Sequence, residues 1–259
     1  MKKETTLYEN VSNDNDYKCV ISIGMRCFTE IYLKKLGLKQ FSTPFDAMYS
    51  TSIYQIMDVL KNKFNYNDFI FTENVDLPPF KDPSSIEKSI ENENKIKVLN
   101  NTHGFRTCRK IELYENDIDL SYHKAFLPHH NLNNKETREH FDRCFMRIDK
   151  IKQKKIKTLF CLFIHPGYAS DPTIHNNDIN ILKNFLIEQF NGDLLVCSFC
   201  NSKMSGQWNI IENANHLINI DIDTHSEMFE YNGKILNEIF HYLKVDRSKL
   251  LSYSDIENI

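Results

Sequence analysis

Short apolar runs alternate with stretches of helical periodicity along the chain. Residues 19–23 form the first run, which is short and β-branched, as is typical of a buried strand. A helical pattern follows over residues 27–36 and is expected to end at Gly37, because glycine readily adopts the left-handed backbone that closes a helix. Ser50 or Ser52 is a suitable N-cap for a second helix.

The second half of the chain shows the same alternation more clearly. Residues 158–164 form a continuous apolar run, residues 193–198 are typical of another buried strand and residues 217–222 of a weaker one, so three further strands are predicted. Helical periodicity before, between and after these strands predicts three helices, over residues 137–152, 178–189 and 227–243. Residues 64–135 mix short aromatic segments with turns and predict no definite element.

Strands and helices at this spacing indicate an α/β fold with a largely parallel sheet flanked by helices, since parallel strands need crossover connections. At 259 residues, the chain suits one domain over residues 17–259, with residues 1–16 as a disordered or loosely attached N-terminus. In such sheets, sites lie at the carboxyl ends of the strands. Three segments are expected there, at residues 24–27, 165–167 and 223–225.

Composition narrows the classes of function. The 32 basic and 35 acidic residues give a net charge of −3, so neither nucleic acid nor a membrane surface is expected as a partner. Residues 1–16 lack the apolar core of a secretory signal, and no run reaches the roughly 18 apolar residues of a membrane span. We therefore expect a cytoplasmic protein whose seven cysteines are mostly small buried residues.

No cofactor or metal is predicted either. Cys197 and Cys200 have the spacing of a zinc-binding pair, but the second pair of ligands that a structural zinc site needs is missing. They are expected at the end of a buried strand instead. The seven glycines form no nucleotide-binding loop.

Cys27 is the best candidate for a reactive group. It follows the first predicted strand and lies at the start of a helix, where unpaired N–H groups and a partial positive charge favour a thiolate. Arg26 would add to this effect if it points the same way. The segment from Ser22 through Gly24 to Cys27 thus offers a nucleophile, a turn and oxyanion donors. The alternative is a buried cysteine after an ordinary turn.

A thiol nucleophile needs a base, generally a histidine that a polar side chain orients. The pair His129 and His130 competes for this role with His165 and His225, which are expected at strand ends, and the residues alone do not rank them. Four other histidines are expected on the surface or on helix faces: His123, His140, His216 and His241.

Three short motifs near the N-terminus carry a resemblance to a known family. They are Ile21-Ser-Ile-Gly-Met-Arg-Cys27, Leu33-Lys-Lys-Leu-Gly-Leu38 and Ser42-Thr-Pro-Phe-Asp46. A looser match covers His130-Asn131-Leu132 and the helix that carries Arg143 and Arg147. These segments resemble a family of predicted papain-like cysteine peptidases of bacteria and large DNA viruses. The family has a tryptophan after Pro-Phe-Asp, whereas this chain has Ala47.

The resemblance implies that Cys27 is the nucleophile and that His130, or its neighbour His129, is the base. Asp46 would orient or polarise the site, because Pro44 fixes the chain before it; the alternative is a turn or N-cap aspartate. The papain-like label also implies an α+β fold, which is the alternative to the predicted α/β arrangement.

Arg143 and Arg147 lie one helical turn apart, so they could bind an anionic substrate group or serve as structural ion-pairing residues. The leading hypothesis for function is a peptidase- or amidase-like cysteine hydrolase that acts on a peptide, amide or acylated substrate through a thioester. One alternative is an acyltransferase that uses the same thiol, with a glycan as a candidate substrate. The other is a non-enzymatic binding or host-interaction module.

Overall fold

A computed structural model describes most of the chain. The described residues are 16–24, 27–50, 52–66, 69–71, 104–107, 124–127, 130, 132, 134–164, 176–200, 203, 205–225 and 228–259. Their strands, numbered along the chain, are β1 (Cys19–Ser22), β2 (Tyr49–Ser50), β3 (Phe69–Phe71), β4 (Gly104–Thr107), β5 (Lys124–Leu127), β6 (Lys157–Ile164), β7 (Asn191–Phe199), β8 (Trp208–Ala214) and β9 (Leu217–Ile222). Their α-helices are α1 (Phe28–Lys35), α2 (Ile53–Asn62), α3 (Lys135–Gln153), α4 (Asn176–Gln189), α5 (Phe229–Tyr242) and α6 (Tyr253–Asn258).

The main sheet has the strand order β1-β6-β7-β9-β8. The first four of these strands are parallel, and β8 pairs with β9 as an antiparallel edge. In this register Ile21 faces Phe160, and Phe160 faces Leu194, so the apolar runs lie side by side. The predicted α/β fold with a largely parallel sheet is therefore confirmed.

Helices cover both faces of this sheet, because successive strand residues point to opposite sides. On one side, strand residues such as Ile21 and Phe160 pack against α2, α3, α4 and α6. On the other side, Val20, Leu159 and their neighbours pack against α1 and α5. Burial on both faces explains why the strands appear in the sequence as continuous apolar runs.

The helix ends follow the predicted chemistry. Gly37 has a φ of 68° just after α1, a left-handed conformation that glycine adopts without strain. Ser52 caps α2, where its side chain accepts a hydrogen bond from the Gln55 N–H at 3.3 Å. Among the helices that the structure describes, none is long and apolar enough to span a bilayer.

A second, antiparallel sheet forms mainly within residues 64–135, for which the sequence predicts no element, and its strand β2 precedes them. Its order is β2-β5-β4-β3, with Phe105 paired to Phe126 and to Ile70 across its centre. Its strands have two to four residues each, which is too short for a period-two pattern to stand out.

Candidate functional site

Cys27 is the N-cap residue of α1. Its backbone carbonyl accepts the first intrahelical hydrogen bond, from the Ile31 N–H at 3.0 Å, and its side chain makes no capping bond. Gly24, two residues after the end of β1, is buried, and so is Ser22, whose hydroxyl has no hydrogen-bond partner among the described residues. Cys27 is exposed, so the alternative of a buried cysteine is wrong.

The other described thiols are held in their protonated form. Burial raises the pKa of Cys19 to about 12 and that of Cys144 and Cys200 to about 11. Burial likewise raises the pKa of Cys161 and Cys197, which are fully enclosed by the sheet and its helices. Of the six cysteines that the structure describes, Cys27 is therefore the one that combines exposure with a helix N-terminus.

An ion triad joins the first turn of α1 to the Pro-Phe-Asp motif. The Lys39 ammonium contacts the Glu30 carboxylate and lies 3.0 Å from Oδ2 of Asp46. The exposed fractions of the side chains of Lys39, Glu30 and Asp46 are only 17%, 15% and 13%. Because partly buried charges are weakly screened, this triad couples Cys27's helix electrostatically to Asp46.

Asp46 lies in a 3₁₀ helix, Pro44–Ala47, and closes a capping box with Thr43. The Thr43 N–H donates to Oδ2 at 2.7 Å, and the Thr43 hydroxyl donates to Oδ1 at 3.0 Å. Burial raises the pKa of Asp46, while Lys39 and the Thr43 N–H act in the opposite direction. These are the turn contacts that the alternative role predicts for Asp46. Its contact with a histidine stays a prediction.

The inner face of α3 carries a cluster of polar side chains. Nε2 of His140 lies 3.7 Å from Sγ of Cys144, and Nη1 of Arg147 lies 3.7 Å from the same sulfur. Arg147 also donates to the Ser42 carbonyl at 2.9 Å, which ties α3 to the chain just before the 3₁₀ helix. Its guanidinium carbon lies 4.4 Å from the centre of the Tyr253 ring.

His130 packs on this same part of α3. Its ring is parallel to that of His140, with 6.2 Å between centroids and 4° between planes, and meets Phe141 edge-on at 5.2 Å. Burial lowers the pKa of His140, and the positive charges of Arg143, Arg147 and Lys39 lower it further. His140 is therefore neutral near pH 7 and presents an uncharged ring to His130.

A buried polar bridge fixes α1 against the loop after β9. The Asn232 side-chain amide donates to the Tyr32 hydroxyl and to the His225 carbonyl, both at 2.8 Å. Its oxygen accepts a hydrogen bond from the Thr224 hydroxyl. His225 follows β9 at the carboxyl end of the sheet, as predicted, and Asn232 links its backbone carbonyl to Tyr32 of α1. It therefore stays an alternative base.

The predicted arginines lie in different environments. Arg147 is 5% exposed and engaged by Ser42, Cys144 and Tyr253, whereas Arg143 is exposed. Three predicted residues, Arg26, His129 and His165, lie outside the described residues. Among the described residues, no group of three or more histidine, cysteine or carboxylate side chains is arranged to hold a metal ion.

Of two side-chain clusters at the site, one leaves no signal in the sequence and the other leaves a spacing that could have been read. The triad of Glu30, Lys39 and Asp46 joins a helix, a loop and a turn, so no periodic spacing pointed to it. His140 and Cys144 are four residues apart on one helix, a spacing that places both on one face and could have identified their contact. His140 was predicted on the surface or on a helix face, and it does lie on a face of α3.

An exposed sulfur at a helix N-terminus is suited to nucleophilic attack on a carbonyl. Residues 18–189 match the model of a family described as "Putative papain-like cysteine peptidase (DUF1796)". Neither a curated protein nor a solved structure matches the chain. The match covers more than half of the 259 residues and includes Cys27, Asp46 and His130. The chain therefore belongs to this family.

Proposed function

We propose that the protein is a cysteine-dependent hydrolase, peptidase- or amidase-like, with Cys27 as its nucleophile. The observation that carries this proposal is the placement of Cys27, an exposed thiol at the N-cap of α1 within the family match. The N–H groups in the first turn of α1 lack intrahelical acceptors. They can therefore stabilise both a thiolate and the oxyanion that forms when sulfur attacks a carbonyl.

In the proposed reaction, the Cys27 sulfur forms a bond to the carbonyl carbon of the substrate while a histidine takes the thiol proton. The carbon–nitrogen bond then breaks, the leaving amine takes that proton, and a thioester remains on Cys27. Water next attacks the thioester and gives a proton to the histidine. When the carbon–sulfur bond breaks, the acid product leaves and the proton returns to the sulfur.

We assign the base to His130, with Asp46 as the residue that orients or polarises the site. The resemblance supports this choice, and so does the packing of the His130 ring against the neutral His140 ring, which limits its orientations. A neutral neighbour adds no repulsion when His130 becomes an imidazolium. His129 and His165 remain alternative bases by sequence, and His225 remains one by its link to α1.

The substrate class that fits is a peptide, an amide or another acylated molecule, because these present the carbonyl that a thiolate attacks. Arg143 is the exposed arginine of α3 and is the one we propose for an anionic substrate group, whereas Arg147 holds α3 against the Ser42 segment. An acyltransferase would use the same first half-reaction and differ only in the group that accepts the acyl chain.

The test is acylation by p-nitrophenyl acetate, with peptide mass spectrometry to locate the acetyl group. We expect release of nitrophenolate and an acetyl thioester on Cys27, both lost in Cys27→Ser. Cys200→Ser is the matched control, since Cys200 is partly exposed but lacks a helix N-terminus. Equal activity in both variants would overturn the proposal. Release of acetyl to water indicates a hydrolase, and transfer to an added alcohol or amine indicates a transferase.

A further inference from the structure

We propose that Lys39 is a positioning residue that keeps the first turn of α1 able to hold a thiolate at Cys27. It acts through Glu30 and Asp46, because its ammonium contacts both carboxylates. This inference rests on the proposed function of Cys27 and adds to it a residue that contacts neither the substrate nor the sulfur.

The geometry places one cation between two carboxylates from different segments. Glu30 belongs to the first turn of α1, three residues after Cys27, and Asp46 belongs to the 3₁₀ helix. Lys39 comes from the loop between them and contacts both. The 3₁₀ helix packs against α1 and α3, so the three charges lie between these elements rather than in bulk solvent.

The pairing with Lys39 matters most for the charge of Glu30. A helix N-terminus carries about half a positive charge, and an unpaired carboxylate in the same turn would offset it. Like charges in the same helix turn disfavour each other's ionisation. Glu30 without a counter-ion would therefore disfavour a thiolate at Cys27. Lys39 removes this conflict by pairing with Glu30.

The other groups around Lys39 do not titrate in a way that would mask the effect. On α3, burial raises the pKa of the Cys144 thiol to about 11, and His140 is neutral near pH 7 because burial and nearby positive charges lower its pKa. The guanidinium of Arg147 is another charged group of α3 here and contacts the Cys144 sulfur. Burial also raises the pKa of Asp46, and Lys39 is the main opposing influence, so Asp46 depends on the same cation.

The test is the rate of Cys27 alkylation by iodoacetamide between about pH 5 and pH 10, followed by peptide mass spectrometry. In Lys39→Met we expect the half-maximal rate at a higher pH and about a tenfold lower rate near pH 7, the effect of roughly one pH unit. Lys39→Arg should keep the wild-type profile. Adding Glu30→Gln to Lys39→Met should restore most of the lost rate.

The plateau rate at high pH separates electrostatics from misfolding, because a charge effect moves the midpoint and leaves the plateau unchanged. Coincident profiles for wild type and Lys39→Met would overturn the inference. If Lys39→Met does not fold, Glu30→Gln alone decides, because the loss of a carboxylate should move the midpoint to lower pH and an unchanged midpoint contradicts the inference. Failure of Cys27 to label first in the wild type would instead contradict the proposed function.

Discussion

The side-chain amide nitrogen of Asn232 lies 2.8 Å from the hydroxyl of Tyr32, although 200 residues separate them in the chain. Both side chains are 0% exposed. A buried polar group without a hydrogen bond costs free energy. This bond therefore favours the observed packing of α5 against α1. Asn232 lies beyond the family match of residues 18–189, so the C-terminal part of the chain helps to fix the helix that carries Cys27.

Replacing Asn232 by leucine should lower the free energy of unfolding by about 2–4 kcal/mol, because the Tyr32 hydroxyl, the Thr224 hydroxyl and the His225 carbonyl each lose a hydrogen bond to its side chain. Tyr32→Phe is the matched control and should cost only about 1 kcal/mol, since Asn232 keeps its bonds to Thr224 and the His225 carbonyl. Urea unfolding measures both. Equal costs would mean that the bridge does not act as a unit.

Brief iodoacetamide treatment near neutral pH should label Cys27 at least about tenfold faster than any other cysteine of the folded protein. The reason is that burial raises the pKa of the other described thiols, to about 11 even at the partly exposed Cys200. Peptide mass spectrometry gives the order of labelling, and labelling in denaturant provides the reference. Faster labelling of Cys144 or Cys108 would exclude Cys27 as the activated thiol.

Asp193 lies at the end of the sheet opposite to Cys27, and it should make the free energy of unfolding depend on pH. It accepts from Tyr17 at 2.7 Å and from Lys157 at 2.8 Å, and Nδ1 of His216 lies 2.7 Å away. Burial alone would raise the pKa of Asp193, but Lys157, Tyr17 and His216 together hold it below its usual value. Its contribution is therefore present above about pH 4 and is lost as the pH falls further.

Asp193→Asn should accordingly cost roughly 1–3 kcal/mol near neutral pH, because hydrogen bonds to a charged group are lost. The difference between wild type and variant should shrink as the pH falls below about 4, where the wild-type carboxylate also becomes protonated. Urea unfolding at a series of pH values measures this difference. A cost that stays constant down to about pH 2 would show that the charge of Asp193 contributes nothing.

The main sheet was predictable because its strands are buried on both faces. The runs at β1, β6 and β7 are mainly apolar, so composition marked them, and Gly37 and Ser52 marked helix ends. β8 was missed because it is an edge strand of mixed exposure, in which Ile211 is 58% exposed. A strand with solvent on one side and few paired neighbours leaves a weak pattern in the sequence.

Prediction of the site was more limited. The position of Cys27 followed from a strand-to-helix turn, a local feature, and the resemblance supplied His130 and Asp46. The pairing of Lys39 with Glu30 and Asp46, and that of Asn232 with Tyr32, depend on tertiary packing. No local spacing encodes such contacts, so they could be found only in the folded structure.

The proposed pairing of Cys27 with His130 is tested most directly by the pH dependence of Cys27 alkylation in wild type and His130→Ala. We predict a half-maximal rate in the wild type at a pH well below about 8.5, the value for an ordinary cysteine, and a return toward that value in His130→Ala. His225→Ala is the matched control and should leave the wild-type profile unchanged. Identical profiles for wild type and His130→Ala would contradict the pairing, and a shift in His225→Ala alone would assign the base to His225.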